Sequence, residues 1–185
     1  MTVPARRTAS YLEVIPASAR DQLVMANLIE LYIHEFTDFL PIQIGEDGRF
    51  GYPNLPLYWS EPTRHPFLVR LDGNLAGLVL VKQGSEITSD PHVWDMAEFF
   101  VLRGFRRSGI GTQIALKVWR DFPGRWEVRV MQKNVAACKF WRHSVSVFAS
   151  ETPSSSHFQK NGEPWEIFSF ESPGRKSLNL AAAGR

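Results

Sequence analysis

The stretch VLRGFRRSGIGTQIALKVW, residues 101–119, joins an apolar, strand-like run to an amphipathic helical pattern through a turn with two arginines and two glycines. The first amides of a helix have no partners inside the helix, and the helix dipole adds partial positive charge there. Glycine lets a ligand approach the backbone, because it has no Cβ. The turn at residues 106–111 therefore has the features of a phosphate-binding loop, to which Arg106 and Arg107 add full positive charges.

Three phosphate-binding motifs can be compared with this turn. A nucleoside-triphosphate loop requires Lys and Ser or Thr directly after its second glycine, where this chain has Ile110 and Gly111. A dinucleotide fingerprint requires a third glycine where Ile114 stands. The pattern Arg/Gln-x-x-Gly-x-Gly/Ala is matched in full by Arg106, Gly109 and Gly111. The third motif is therefore the one that the sequence supports.

Upstream of the turn, the pattern predicts a strand, a helix, an irregular segment and a hairpin. The strand SYLEVIPA ends at Pro16. Apolar residues then recur at helical spacing up to Pro41, namely Leu23, Leu28, Leu31, Tyr32 and Phe36. Residues 42–63 are rich in Gly, Pro and aromatic residues and are predicted to be irregular or partly helical. Two apolar runs around Asp72 and Gly73 predict a hairpin, because Asp-Gly favours a tight turn.

Downstream of the hairpin, strands and helices alternate. Strands are predicted at residues 93–102, 123–131 and 163–171, with helices at 110–122 and 134–144. This order predicts an α/β fold in which one mixed sheet carries helices on its faces. We expect one domain at residues 11–172, with flexible ends at residues 1–10 and 173–185.

The composition is that of an ordinary globular chain. Its 185 residues carry a net charge of +2, so no strong global field favours a nucleic acid or a membrane as partner. The single cysteine excludes an intramolecular disulfide, and the histidines show no metal-binding spacing. No apolar run could span a bilayer, and the first residues lack the apolar centre of a secretory signal. We expect a cytoplasmic protein without a metal.

Two motifs together resemble the GCN5-related N-acetyltransferase (GNAT) family. The run AEFFVLRGFRRSGIG is similar to that family's fourth strand and cofactor loop. About 20 residues later, WEVRVMQKNVAACKFW is similar to its fifth strand and following helix, with Asn134, Ala137 and Phe140 at the family's positions. The resemblance implies a GNAT-like mixed sheet and acetyl transfer from acetyl-CoA to a primary amine. The sequence does not decide the acceptor, since the aromatic segment at residues 50–59 would suit a small amine, an amino sugar or a peptide end equally well.

The resemblance also assigns the residues that contact acetyl-CoA. The fourth strand is expected to separate from the fifth, so that its backbone binds the pantetheine arm and one of its amides stabilises the oxyanion. The predicted contacts are Phe99, Phe100, Val101, Arg106, Arg107, Ser108, Gly109, Ile110, Gly111, Thr112, Asn134, Ala137 and Phe140. Two simpler interpretations stay open: the glycines only start a helix, and Asn134 only caps the next one.

Glu98 is the candidate catalytic residue. It lies inside the apolar run WDMAEFFVL, and a charged residue is seldom fully buried unless it is paired. The resemblance places it where many members of the family carry a glutamate that deprotonates the amine, often through water. The alternatives are an exposed strand residue and a structural ion pair.

Two positions depart from the family pattern. Trp141 stands where the family often has a tyrosine acid, and Ser144 stands where it often has glycine. An indole N–H donates a hydrogen bond but is not a useful acid. Tyr58 and His143 are therefore candidate substitutes.

Two other function classes stay open at this point. A non-catalytic acyl-CoA sensor would bind the cosubstrate without turnover, and a plain anion- or protein-binding domain would not bind it at all.

The aromatic residues Phe50, Tyr52, Tyr58 and Trp59 are expected to line the acceptor side. The oligomeric state is open, a homodimer included.

Overall fold

The computed structural model describes residues 10–149 and 154–174. In that part of the chain the strands are β1 (Leu12–Pro16), β2 (Arg64–Leu71), β3 (Asn74–Gln83), β4 (Trp94–Val101), β5 (Gly124–Met131), β6 (Ser154–Lys160) and β7 (Glu163–Ser172). The helices are α1 (Gln22–Phe36), α2 (Leu57–Ser60), α3 (Ile110–Asp121) and α4 (Val135–Ala149), and short 3-10 turns lie at Ala19–Asp21 and Arg103–Phe105. The ends expected to be flexible fall almost entirely outside the described residues.

The strands form one mixed sheet in the order β1-β2-β3-β4-β5-β7-β6. Strands β4 and β5 run parallel, joined by α3, and every other neighbouring pair is antiparallel. The predicted α/β fold with one mixed sheet is therefore confirmed. Within the described residues, no helix is both long and apolar enough to cross a membrane.

Strand β3, in the interior of the sheet, is buried on both faces. Leu78 and Leu80 pack in a core on the side of α1, whereas Val79 and Val81 pack in a second core beneath α3 and α4. Side chains alternate between faces along a strand, so a run without polar residues indicates a strand covered on both sides. The two cores hold the sheet between α1 and the pair α3–α4.

The helix predicted after Pro16 is present as α1, but only some of its apolar residues face the sheet. Leu28 is buried and Tyr32 packs against the same core, whereas Leu23 and Leu31 are 68% and 52% exposed. Met25 and Ile29 are also buried, and the sequence periodicity alone could not decide which apolar positions face the sheet. The predicted irregular segment at residues 42–63 is confirmed, and it contains only the short helix α2.

Two hairpins have tight turns with positive φ at both central residues. Asp72 and Gly73, with φ of 51° and 78°, form the predicted turn between β2 and β3. Asn161 and Gly162, with φ of 53° and 77°, form a second turn between β6 and β7. Strand β6 was not predicted, because its polar sequence SSSHFQK has no apolar alternation. The helix predicted at residues 134–144 is longer than expected, since α4 continues to Ala149.

Candidate functional site

A cleft opens where β4 and β5 separate. The two strands pair only at Trp94 with Trp126 and at Asp95 with Glu127, and they diverge after those residues. The backbone N–H and C=O groups of residues 96–101 that face β5 therefore make no ladder hydrogen bonds with that strand. The separation of the two strands, expected from the resemblance, is confirmed. Helices α3 and α4 follow β4 and β5, so both begin at the open end of this gap.

We call this opening the β4–β5 cleft. Its volume is about 570 Å³. Its lining residues are Tyr32, Ile33, Phe36, Ile42, Phe50, Gly51, Tyr52, Asn54, Glu86, Met96, Ala97, Glu98, Phe99, Arg129, Val130, Met131, Asn134, Ala137, Trp141, Lys160 and Trp165. The wall thus combines apolar and aromatic side chains from α1 and the following loop with four charged side chains.

The turn before α3 has an open backbone at its second half. Gly109 is the N-cap of α3 with φ of 84°, and a Cβ built there would meet no atom within 4 Å. Arg107 also has positive φ, at 62°, and the Ser108 hydroxyl donates to the Phe105 carbonyl at 2.7 Å. The first amides of α3 lack partners inside the helix. The turn therefore presents backbone N–H groups at an open surface, as an anion site requires.

Gly111 lies where α3 packs closely against α4, and a side chain would not fit there. A Cβ at this position would lie 2.9 Å from Cε2 and 3.3 Å from Cζ of Phe140. The missing side chain thus lets α3 approach α4 closely. The Thr112 hydroxyl shares a 3.0 Å hydrogen bond with the Ser144 hydroxyl at the same helix pair, and the Ile110 side chain is buried in the core. Because the side chains of Ile110 and Thr112 are used for packing and for the contact with α4, these two residues could contact a ligand only through their backbone.

Arg106 is directed away from the open part of the turn. Its Nη2 donates to both carboxylate oxygens of Glu35 on α1 at 2.8 and 2.9 Å, and its Nε donates to the Val101 carbonyl at 2.6 Å. Its guanidinium also lies 5.6 Å from the ring centre of Phe100. Arg107 is exposed, and its guanidinium has no partner in the part of the chain that the structure describes. Arg107 is therefore the cation that remains available at the turn, and the role of Arg106 at a phosphate stays a prediction.

The side chains predicted on β4 mostly serve packing. Phe100 and Val101 are buried in the two different cores, so only their backbone could meet a ligand. Phe99 lines the cleft and packs against Phe140 and Trp141, at ring-centre distances of 5.5 and 4.9 Å. These positions agree with the expectation that the backbone of β4, rather than its side chains, contacts the cosubstrate.

Asn134 caps α4 and also lines the cleft. Its Oδ1 accepts a hydrogen bond from the Ala137 amide at 3.1 Å, which is the geometry of an N-cap. Asn134 and Ala137 both lie on the wall of the cleft. The capping role is therefore confirmed, and a contact with the cosubstrate stays a prediction.

A β-bulge in β4 determines the direction of Glu98. Glu98 lies opposite Leu80 and Met96 lies opposite Val81, so Ala97 is the extra residue between them. Such an insertion shifts the alternation of side chains by one position. Glu98 consequently shares the α1 face with its partner Leu80, and it is half-buried on the wall of the cleft.

Two tyrosines hold the Glu98 carboxylate. The Tyr52 hydroxyl donates to Oε1 at 2.8 Å. The Tyr32 hydroxyl, from α1, also stabilises the charged form of this carboxylate, but to a smaller extent. Glu30 fixes the loop that carries Tyr52, since its carboxylate accepts from the Phe50 and Gly51 amides at 2.6 and 3.1 Å. No local sequence pattern indicates these contacts, because they join a helix, an irregular loop and a strand.

Burial raises the pKa of Glu98, and the hydrogen bonds from Tyr52 and Tyr32 oppose that effect only in part. Burial and the nearby Glu98 charge raise the pKa values of Tyr52 and Tyr32 well above the usual range. Both tyrosines therefore remain protonated donors, and the carboxylate is a stronger base than an exposed one.

The candidate acids named from the sequence do not line the cleft. Tyr58 is buried beneath the α1 side of the sheet, with the Arg64 guanidinium 5.3 Å from its ring centre. His143 lies on the exposed face of α4. Trp141 does line the cleft, where it packs against Phe99 and Phe140. Of the four aromatic residues expected on the acceptor side, Phe50 and Tyr52 line the cleft, whereas Tyr58 and Trp59 do not.

An ion-pair network closes one end of the cleft. Arg129 donates from Nη2 and Nε to the buried Asp95, at 2.6 and 3.3 Å, and from Nη1 to Glu86 at 2.8 Å. Lys82 and Lys160 each donate to Glu86 at 2.6 Å. Burial opposes ionisation of Glu86, but the lysine hydrogen bonds and the Arg129 charge prevail and lower its pKa to about 2. Three cations, Lys82, Arg129 and Lys160, thus share the two carboxylates Glu86 and Asp95, and each charged group of this network has a partner.

A family model described as Acetyltransferase (GNAT) family matches residues 25–144. No curated protein matches the chain in sequence.

Many solved structures share the fold. An acetyltransferase from Thermus thermophilus has a TM-score of 0.62 at 15% identity, over 86% of this chain and 96% of its own. A Salmonella typhimurium protein solved with its cofactor acetyl-CoA has a TM-score of 0.60 at 9% identity, over 89% and 96%. A Vibrio cholerae spermidine N-acetyltransferase in complex with CoA and spermine has a TM-score of 0.57 at 15% identity, over 87% and 95%.

Proposed function

Because the chain belongs to the GNAT family of acetyltransferases, we propose that it transfers the acetyl group of acetyl-CoA to the primary amine of a small-molecule acceptor. The observation that carries the proposal is the position of Glu98. This carboxylate lies on the wall of the β4–β5 cleft, receives a hydrogen bond from Tyr52, and has no ion-pair partner among the described residues. The neighbours solved with acetyl-CoA and with CoA and spermine support acetyl-CoA as the cosubstrate.

The chain has a surface that fits acetyl-CoA. The open turn around Gly109 and the exposed side chain of Arg107 suit the pyrophosphate, since backbone N–H groups and a full positive charge belong to the same turn. The edge of β4 at residues 96–100, which does not pair with β5, suits the amides of the pantetheine arm. Asn134 and Ala137 form the opposite wall of the gap. These groups would hold the cosubstrate, which supplies an activated acyl group as a thioester.

Glu98 would remove the proton from the acceptor. A primary amine is largely an ammonium ion at neutral pH, and an amine attacks a carbonyl only through its free lone pair. Burial raises the pKa of Glu98, which makes it a better proton acceptor than an exposed carboxylate. We assign Glu98 as the general base, either directly or through a water molecule.

Tyr52 and Tyr32 would act as positioning residues. Their raised pKa values favour donation of a hydrogen bond over loss of a proton. Each therefore orients the Glu98 carboxylate toward the cleft without itself exchanging protons. Since neither Tyr58 nor His143 lines the cleft, we assign no side chain as the acid for the departing thiolate.

The proposal is tested by the release of CoA from acetyl-CoA in the presence of primary amines. The panel should include spermidine, because a structural neighbour is a spermidine N-acetyltransferase. We expect turnover with at least one amine and a loss of kcat of about 10²-fold or more in Glu98→Gln at neutral pH. Glu171→Gln is the matched control, because it removes an exposed carboxylate on β7. Saturable acetyl-CoA binding without turnover of any amine would instead support a non-catalytic sensor.

A further inference from the structure

The charged groups on the wall of the β4–β5 cleft differ in whether they already have partners. Within residues 10–149 and 154–174, Glu86 is paired with Lys82, Arg129 and Lys160, and Arg129 is also paired with Asp95. Glu98 has no ion pair there; its partners are tyrosine hydroxyls. Among the described residues, Glu98 is therefore the one carboxylate of the wall without an ion pair, whereas Arg129 and Lys160 each already contact Glu86.

The wall beside Glu98 is apolar. Ile33 and Phe36 extend from α1, and Ile42 and Phe50 come from the loop that follows it. Phe36 is fixed by an edge contact with Tyr32, whose ring centre is 4.9 Å away. An ammonium or carboxylate placed against these side chains would lose its hydration without gaining a partner, which is strongly unfavourable.

From these two features we propose that the acceptor is a monoamine with an apolar body, whose ammonium group binds at Glu98 and whose hydrocarbon part lies against Ile33, Phe36, Ile42 and Phe50. This inference rests on the proposed function and names the substrate class of the same site. A polyamine would bring a second cation to a wall whose other carboxylate, Glu86, is already paired. An amino acid would bring a carboxylate to a wall whose two cations, Arg129 and Lys160, already contact Glu86.

The test compares three acceptors of equal chain length: hexylamine, 1,6-diaminohexane and 6-aminohexanoate. CoA release should give hexylamine a kcat/KM at least about tenfold above the other two. From butylamine to hexylamine, kcat/KM should rise by about fourfold per added methylene, the factor that corresponds to burial of one CH₂ group. A higher kcat/KM for 1,6-diaminohexane or 6-aminohexanoate, or no dependence on alkyl length, would overturn the proposal.

Variants on α1 test whether the dependence of kcat/KM on alkyl length arises from the apolar wall of the cleft. Ile33→Ser should flatten the dependence on alkyl length, whereas Leu31→Ser should leave it unchanged, because Leu31 is exposed and does not line the cleft. Ile33→Asp should raise kcat/KM for 1,6-diaminohexane relative to hexylamine, since it supplies a second carboxylate. Equal effects of Ile33→Ser and Leu31→Ser would contradict the assignment of this wall.

Measurements of turnover test the proposed function, and measurements of amine binding test the inferred substrate class separately. If no amine releases CoA, the proposed function fails, and the substrate class is then decided by calorimetric titration of the protein saturated with CoA. Tighter binding of hexylamine than of 1,6-diaminohexane would still support the apolar monoamine site. Equal or weaker binding of hexylamine would overturn it.

Discussion

The Tyr52 hydroxyl donates a 2.8 Å hydrogen bond to Oε1 of Glu98, although the two residues are 46 positions apart in the chain. This bond stabilises the ionised carboxylate and opposes the effect of burial, which raises the pKa of Glu98. Tyr52 therefore links the loop after α1 to the proton acceptor that we assign on β4.

Tyr52→Phe should move the acidic limb of the kcat/KM profile to higher pH. Loss of the donor destabilises the charged form of Glu98, so the pKa of Glu98 rises further and the base is deprotonated only at higher pH. The measurement is kcat/KM against pH for wild type and variant. Tyr58→Phe is the control, because it removes a buried hydroxyl that does not donate to Glu98. An unshifted acidic limb in Tyr52→Phe would refute the positioning role.

Glu98→Gln should stabilise the protein at neutral pH while it lowers activity. The pKa of Glu98 is raised in the folded state above its ordinary 4.5, so the folded state holds its proton more tightly than the unfolded chain does. Stability is therefore lost as pH rises above that ordinary value, and glutamine avoids this loss. Thermal unfolding at pH 4 and pH 7 should show a gain in Tm that is larger at pH 7. A lower Tm at pH 7 would contradict this account of the site.

Gly111→Ala should destabilise the fold, although alanine usually favours a helix over glycine by about 1 kcal/mol. The new Cβ would lie 2.9 Å from the Phe140 ring, and such overpacking costs about 1–3 kcal/mol. Thermal unfolding should show a lower Tm, and adding Phe140→Leu should restore part of it. Gly104→Ala is the control, because a Cβ there meets no atom within 4 Å. A higher Tm in Gly111→Ala would show that α3 and α4 are not in close contact there.

Arg106→Met and Glu35→Met should both weaken acetyl-CoA binding, and Glu35→Met at least as much, because Glu35 ties the turn to α1 through Arg106 and also pairs with Arg103 at 3.0 Å. A direct phosphate contact by Arg106 would make its substitution clearly the more harmful of the two. The measurement is the Kd for acetyl-CoA in both single variants and in the double variant. Additive losses in the double variant would contradict a role for Arg106 through Glu35.

The sequence predicted the features that depend on local pattern. The Asp72–Gly73 turn, the strands on both sides of it and the helix after Gly109 are all present, since each follows from neighbouring residues. The Asn161–Gly162 turn carried an equally strong local signal. Strand β6 was nevertheless missed, because its polar residues show no alternation that would support it.

The sequence could not predict how the site is assembled. The direction of Glu98 depends on the bulge at Ala97, which reverses the side-chain alternation and leaves no mark in the sequence. The Lys160–Glu86 pair joins positions 74 residues apart, across strands whose order is known only from the folded sheet. The pairing of Arg106 could not be predicted either, because its partner Glu35 lies far away in the chain, on α1.

The most direct test of the account is a calorimetric titration of the protein with acetyl-CoA. Wild type should bind saturably, and Gly109→Glu should lose binding by about 100-fold or more, because it places a carboxylate over the open turn. Gly73→Glu is the matched control, since Gly73 has a similar positive φ of 78° and the same open surroundings but lies in the β2–β3 hairpin. It should bind acetyl-CoA as wild type does. Equal affinity in all three proteins, or no binding to folded wild type, would contradict acetyl-CoA binding at this turn.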